Sequence, residues 1–336
     1  MSVEAKYWIT EDETVVCHLC PHACRLKPGE TGICRTRRNE NDRLITLAYG
    51  NPVALNIDPV EKKPLYHFFP TSRTYSLATR GCNLRCLNCQ NYHISQSGPG
   101  NETDPILSPE AIVRSAIDNH CQSIAYTYTD PVVFFEYATD IAHKAKEAGL
   151  YNIIVSAGYI MPQPLKEWCS VIDAANIDLK CFDEAICLKL NGIHLAPVLK
   201  TLKELKKAGV WLEITNLLIP EWTDNLQIIQ KMCQWLVENG FEDTPLHFSR
   251  FYPSYKLNNL PATPVETIER AYETAKSAGL RYVYPGNVPG HVNDNTHCHA
   301  CGRRLINRMG YNVTANHIHN GCCEFCNMLI PGRFSS

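Results

Sequence analysis

Membrane-length apolar runs, a surplus of charge and internal repeats are all missing from this sequence. No stretch approaches the roughly 18 consecutive apolar residues of a spanning helix, and the first residues, "MSVEAKYWITEDETVV", have neither a basic start followed by an apolar run nor an Arg-rich amphipathic face. A cytosolic protein without membrane contact is the expectation. Lys and Arg number 32 against 34 Asp and Glu, a formal charge of −2, so no net field gathers nucleic acid or an anionic surface. No segment repeats and no low-complexity linker divides the chain. At 336 residues and 45% hydrophobic it can bury a sizeable core, as one large or two modest domains.

Cysteine, by contrast, is abundant. Seventeen thiols in a reducing compartment point to metal ligands or redox groups before disulfides. They gather in three clusters: Cys17, Cys20, Cys24 and Cys34; Cys82, Cys86 and Cys89; and Cys298, Cys301, Cys323 and Cys326. Cys121, Cys169, Cys181, Cys187, Cys233 and Cys322 are scattered and read as small buried hydrophobes.

Between about residue 75 and residue 285, β-rich runs alternate with segments of helical period, the pattern of βα units on a parallel sheet. The runs are 75–79, 123–129, 152–157, 175–180, 210–219, 246–251 and 280–284. Ser108 and Pro109 form a helix-start signal, and Gly149, Gly209 and Gly279 close three helical segments as C-terminal caps. An open doubly wound sheet and a full or partial barrel both satisfy this alternation, and both place chemistry at the C-terminal ends of the strands. The unusual polar stretches lie there: "RGCNLRCLNC", "TYTDP", "SAGY", "DLK" and "HFSRFYP". "EKKPLYHFFP" (61–70) mixes charge with aromatics, but two lysines are too few for a nucleic-acid patch, and it reads as a solvated loop packing its aromatics on the sheet.

"CNLRCLNC" places three thiols on one short loop, one too few for a four-cysteine zinc site. An iron–sulfur cubane held by three protein thiolates keeps one iron open for another ligand. A zinc site borrowing a fourth ligand, such as His93, is the alternative. At the N-terminus the spacing C-x2-C-x3-C-x9-C, interleaved with His18 and His22, suits either zinc or a second iron–sulfur cluster, with a structural zinc knot as the plainer reading. The C-terminal CxxC pairs, 21 residues apart, have the layout of a zinc ribbon or rubredoxin-like module. Cys322, His297, His299, His317 and His319 offer further ligands there.

The loop "CNLRCLNC", with βα units behind it, resembles the radical S-adenosylmethionine (SAM) superfamily. "CHLCPHACRLKPGETGIC", "DPVEKKPLYHFFP", "AYTYTDPVVFFEYA", "IDLKCFDE" and "GNVPGH" extend the likeness to the radical enzymes of the AmmeMemoRadiSam system, themselves similar to pyruvate formate-lyase activating enzymes. The resemblance implies an α/β fold: a partial (β/α)6-type TIM barrel at 71–288, a Cys-rich N-terminal section at 1–70 and a zinc-ribbon-like tail at 289–336. It implies a [4Fe-4S] cluster on Cys82, Cys86 and Cys89 that cleaves SAM reductively to a 5′-deoxyadenosyl radical, which takes hydrogen from an unidentified substrate. An electron donor such as flavodoxin or ferredoxin and AmmeMemoRadiSam partner proteins follow from it. By the same resemblance Tyr128, Thr129 and Asp130 stand where activating enzymes carry a Gly-Gly-Glu motif that meets the cofactor's amino group, with a backbone contact expected here. Asp178 and Lys180 match a pair near the methionyl carboxylate and sulfonium, Ser156 lies at the cofactor-facing end of the third strand, and His247 matches a histidine approaching the ribose. Asn88 replaces an aromatic usual before the last cysteine, a spot that Tyr92 is placed to shield. Glycyl-radical-enzyme activation, a non-catalytic zinc-binding scaffold and a CxxC thiol–disulfide oxidoreductase are the alternative functions.

Overall fold

The structure is a computed structural model and describes residues 3–100 and 106–334. An eight-stranded sheet forms its centre: β1 Pro52–Pro59, β2 Arg73–Thr79, β3 Ser123–Tyr126, β4 Tyr151–Ser156, β5 Ala174–Asp178, β6 Trp211–Leu218, β7 Leu246–Arg250 and β8 Val283–Gly286. Order in space equals order in sequence, with β1 antiparallel to β2 and every later pair parallel. Seven of these strands coincide with the β-rich runs of the sequence. The eighth, β1, lies inside the stretch read as the N-terminal section. Its bounding prolines suit an edge strand, where a missing N–H breaks no ladder. Among the described residues the outer strands β1 and β8 are not hydrogen-bonded to each other, so the sheet is open.

Helices cover the sheet: α1 Pro109–Asp118, α2 Phe135–Glu147, α3 Pro162–Trp168, α4 Glu184–Asn191, α5 Leu195–Lys207, α6 Leu226–Glu238 and α7 Val265–Ser277. Each longer helix buries one stripe, for example Val198, Thr201, Leu202 and Leu205 of α5 or Ile229, Met232, Cys233 and Leu236 of α6. This i, i+3, i+4, i+7 spacing is what a half-buried helix requires. Ser108 caps α1 by accepting from Ala111 N–H at 3.3 Å. Gly149, Gly209 and Gly279 follow α2, α5 and α7 with φ of 77°, 76° and 106°, so the backbone turns out of each helix where a side chain would be strained.

Before the sheet the chain forms two small antiparallel sheets, whose tight turns at Asp12 and Glu13 and at Asn41 and Asp42 all have positive φ. After it, short strands from Thr296 to Cys323 make a module packed against β8 through Tyr66, Tyr282, Tyr284, Leu305, Ile306 and Ile330. Leu65 and Phe68 pack on Ala125, Ile153 and Ala174, as expected for "EKKPLYHFFP". Two of its three charges are not solvated, however: Glu61 and Lys63 are buried, Lys63 Nζ meeting Asp58 Oδ2 at 2.6 Å, while Lys62 stays exposed. The expectation for two scattered cysteines also needs correction, because Cys181 and Cys187 form a disulfide. A turn that brings residues six apart together at the start of α4 makes the pairing local, which spacing alone did not disclose.

Candidate functional site

The loop after β2 wraps back on itself and is gripped from two sides. Gly81 (φ 84°) donates its N–H to Ile94 carbonyl oxygen at 2.9 Å, closing the loop. Arg85 and Leu87 N–H groups donate to the Asn191 and Leu190 carbonyls at the end of α4, at 2.8 and 2.9 Å. From the segment after β7, Ser254 Oγ donates to the Cys89 carbonyl at 3.3 Å and Lys256 N–H to that of Leu87 at 2.9 Å.

Each sulfur in this loop has its own polar neighbour. Cys82 Sγ accepts from Leu84 N–H at 3.4 Å, Cys86 Sγ from Asn191 Nδ2 at 3.1 Å, and Cys89 Sγ lies 3.1 Å from Ser95 Oγ. Burial pushes the Cys86 thiol pKa up, and Lys180 and Asn191 work against that rise. Asn191 lies outside the motif, and no sequence signal marked it.

These groups fit an iron–sulfur cluster better than a single ion. Ligand sulfurs around one tetrahedral zinc stand roughly 3.8 Å apart, given a 2.3 Å bond. Among the described residues, neither the three sulfurs nor His93 belong to a set of ligand atoms all within 4.8 Å of one another. Three wider-set sulfurs suit a cluster whose irons each take one. Arg80 Nε, Asn83 Oδ1 and Asn88 Oδ1 are buried without a hydrogen-bond partner, an expensive arrangement unless a bound group supplies one. Asn88 therefore presents a polar atom where an aromatic was the usual residue. Tyr92 stacks on Tyr255 with ring centroids 4.7 Å apart.

The strand ends beside the loop bring most of the expected cofactor residues together. Tyr128 has φ of 66°, the left-handed conformation that a glycine adopts freely. Its hydroxyl donates to Asp58 Oδ2 at 2.6 Å and its carbonyl accepts from Asn91 Nδ2 at 2.9 Å, which anchors the strained turn to both β1 and the cysteine loop. Thr129 Oγ1 donates to the Thr79 carbonyl at 3.0 Å. The buried Asp130 carboxylate accepts from Val132 N–H, Ala157 N–H and the Ser156 hydroxyl at 3.1, 2.9 and 3.0 Å. Burial raises its pKa while those donors oppose the rise. Asp130 and Ser156 thus tie β3 to β4, and their side chains are engaged with each other.

At the end of β5, Lys180 Nζ meets Asp178 Oδ2 at 2.7 Å, both partly exposed. Burial works against the Lys180 charge, but Asp178, Cys86 and Cys89 outweigh it and hold its pKa above the ordinary value. A cation beside the cysteine loop offsets the negative charge of thiolates.

His247 stands apart from this group. It is the second residue of β7, and its Nε2 donates to Glu213 Oε2 at 2.7 Å. Glu213, fully buried on β6, also accepts from the N–H groups of Tyr66 and His67, at 3.0 and 2.7 Å, and from Trp211 Nε1 at 3.1 Å. Tyr66 and Tyr284 enclose the histidine with ring centroids at 4.8 and 5.3 Å.

The flanking cysteine sets differ from one another. Cys298, Cys301, Cys323 and Cys326 bring four sulfurs within 4.8 Å, with Cys298 to Cys326 at 3.6 Å and Cys301 to Cys323 at 3.8 Å. That matches the edge of a single-ion tetrahedron. Cys322 and the four nearby histidines are not members of the set. Cys17, Cys20, Cys24 and Cys34 line one cavity together with Asn83 of the β2 loop. The two loops touch: a Cβ on Gly81 would lie 2.5 Å from the Cys34 carbonyl oxygen and 2.4 Å from Thr36 Cγ2. Gly81→Ala is therefore expected to cost at least about 2 kcal/mol from left-handed strain and overlap combined. A lowered urea midpoint checks this, and an unchanged midpoint would show that the loops are not so closely packed.

Comparison with known proteins agrees with this geometry. The family described as the Radical SAM superfamily matches residues 76–233. An uncharacterized protein of Methanocaldococcus jannaschii is 45% identical over 306 residues, 90% of each chain. The pyruvate formate-lyase-activating enzyme of Staphylococcus aureus is 24% identical over 232 residues, 64% of this chain and 90% of its own length. Among solved structures, Streptococcus suis SuiB bound to S-adenosylmethionine gives a TM-score of 0.49 at 14% identity, over 68% of this chain and 52% of that one. The three-cysteine loop lies inside the matched region, so the chain carries a Radical SAM superfamily domain over residues 76–233.

Proposed function

We propose that the chain is a radical SAM enzyme of the AmmeMemoRadiSam type, acting by hydrogen abstraction on a substrate that its sequence does not name. The observation that carries this reading is the cysteine loop itself: three separately supported sulfurs at the strand ends, beside a lysine, on a loop that also carries buried polar atoms without partners. Cys82, Cys86 and Cys89 would hold a [4Fe-4S] cluster, which, once reduced, would supply the electron for reductive cleavage of SAM to methionine and a 5′-deoxyadenosyl radical. The sheet, though open at its edges, is read here as a partial barrel whose strand ends surround that chemistry.

The chain's own residues bind and orient. Lys180 offers a point charge to the methionyl carboxylate, with Asp178 holding the ammonium in place. Because the Asp130 carboxylate is taken up by Ser156 and two backbone N–H groups, the backbone of the Tyr128 to Asp130 turn, and not that carboxylate, would hold the cofactor's amino group. His247, bonded to the buried Glu213, is not among these residues. A flavodoxin or ferredoxin is the electron donor.

Glycyl-radical activation is the second reading, favoured by the matched activating enzyme. That match leaves about a third of this chain outside it, including a whole cysteine set. The test is anaerobic reconstitution with iron and sulfide, dithionite reduction with SAM, and chromatography for 5′-deoxyadenosine. A fully loaded cluster that leaves SAM intact would refute the proposal.

The C-terminal set is assigned a structural zinc in a ribbon-like module. Chelation should release about one zinc per chain and melt the tail, since such modules draw their folding free energy from the metal. Loss of amide-exchange protection at 296–323, with β2 to β7 still protected, is the expected result. Unchanged protection after complete zinc release would remove the structural role.

A further inference from the structure

We infer that Cys17, Cys20, Cys24 and Cys34 hold a second polynuclear iron–sulfur cluster, seated against the Cys82, Cys86 and Cys89 loop. The contrast among the three cysteine sets is the first argument. The C-terminal set draws four sulfurs within 4.8 Å of one another, and among the described residues no three N-terminal sulfurs do so. In that respect the N-terminal set resembles the radical SAM loop and not the single-ion tetrahedron. Yet its four thiols are not dispersed, because all of them line one cavity.

The walls of this cavity suit sulfur-rich anionic contents. The buried Arg37 guanidinium reaches Cys17 Sγ at 3.7 Å while it is paired with Glu136. Thr36 Oγ1 lies 3.3 Å from Cys34 Sγ and 3.0 Å from the Val133 carbonyl oxygen. Gly32 sits between two of the ligands, where an added Cβ would come 3.6 Å from Cys24 Sγ and 3.7 Å from Cys34 Sγ. Leu19, Leu26, Ile33, Val132 and Val133 complete an apolar lining that limits water, a condition that tunes cluster potential.

Position is the second argument. Between Cys20 and Cys24, His22 donates from Nε2 to the Asn83 carbonyl oxygen at 2.7 Å, and Asn83 follows Cys82 directly. Asn83 also forms part of the cavity wall, and Gly81 packs on Cys34. No secondary-structure element separates the two loops. An electron accepted from a flavodoxin-type or ferredoxin-type donor can therefore pass through the N-terminal cluster to the Cys82, Cys86 and Cys89 site, leaving the first cluster oxidised again and consuming only the donor's electron. This relay role rests on the function proposed above, whereas the second cluster site does not.

The experiment uses the full chain, reconstituted anaerobically with ferrous iron and sulfide. The Cys82→Ala/Cys86→Ala/Cys89→Ala variant should retain about four iron and four sulfide per chain, and the wild type about twice as much. Dithionite-reduced wild type should show two paramagnetic signals, only one of which changes when SAM is added. The variant with all four N-terminal cysteines replaced by serine should keep the SAM-responsive signal and lose the other. With a flavodoxin donor that variant should form 5′-deoxyadenosine at least about ten-fold more slowly, while its dithionite-driven rate stays close to wild type. Should the serine variant not fold, the wild-type iron and sulfide count and its two signals decide the matter. Zinc without labile sulfide at the N-terminal set of the triple-alanine variant overturns the proposal, as does a single cluster's worth of iron in fully reconstituted wild type. A triple-alanine variant that keeps its cluster, alongside a wild type that never cleaves SAM, supports the second site and fails only the proposed function.

Discussion

Alanine at any one of Cys82, Cys86 or Cys89 should reduce 5′-deoxyadenosine formation at least about 10³-fold, to background. Each thiolate is the sole protein ligand proposed for one iron, and each has a separate donor: Leu84 N–H, Asn191 Nδ2 and Ser95 Oγ. No neighbouring cysteine is placed to substitute, since the N-terminal thiols belong to their own cavity. The measurement is anaerobic single-turnover chromatography, paired with thermal unfolding to verify the fold. Cys86 is half-buried and Cys89 likewise, so truncation there removes little packing, and the folded fraction should stay near that of wild type. Deoxyadenosine at wild-type rate from Cys86→Ala would end the proposed ligand assignment.

Glu213→Leu should be the most damaging substitution to stability, at roughly 3–5 kcal/mol. The carboxylate is fully buried and receives four donors: His247 Nε2, Trp211 Nε1 and the N–H groups of Tyr66 and His67. Burial opposes its charge, but these donors outweigh that cost and keep the carboxyl below its ordinary pKa. Leucine matches much of the volume and leaves every donor unpaired. Urea unfolding should show the loss, and Glu213→Gln, which keeps one acceptor, should cost less. Equal midpoints for wild type and Glu213→Leu would mean that the network adds no stability. Because residues 66 and 67 belong to a loop on which the C-terminal module packs, the tail should loosen with it.

The parts of the fold that could be read from sequence are those written in local periodicity. β2 to β8 each had a β-rich run, and three of the helices between them, α2, α5 and α7, had a helical period closed by a glycine stop. β1 was missed because an antiparallel edge strand with prolines at its ends looks like a loop. The small N-terminal sheets were missed because two- to four-residue strands have too few positions to show a period. In the site, the cysteine loop was legible because its spacing is chemistry in itself. The Asp178 and Lys180 pairing followed from adjacency. Asn191 and Glu213 were invisible, because 105 and 34 residues separate them from Cys86 and His247 and only the folded sheet brings them together. His247 carried a motif signal, but only tertiary contacts disclose that its ring is bonded to a buried carboxylate.

Strand order along the sheet repeats order along the chain, and this shapes how the protein can assemble. Each new βα unit can dock on the one made before it, so most of the sheet can grow by short loop closures during synthesis. Contacts between the loop after β1 and the C-terminal residues break that rule. His67 Nδ1 donates to the Pro331 carbonyl oxygen at 2.7 Å, and Arg333 N–H donates to the His67 carbonyl at 2.8 Å, across more than 260 residues of sequence. A loop near the first strand therefore waits until residues 331–333 have been made before its buried histidine is satisfied. Until then a nascent chain would carry most of the sheet with one side of that loop unlatched, and docking of residues 331–333 would close it.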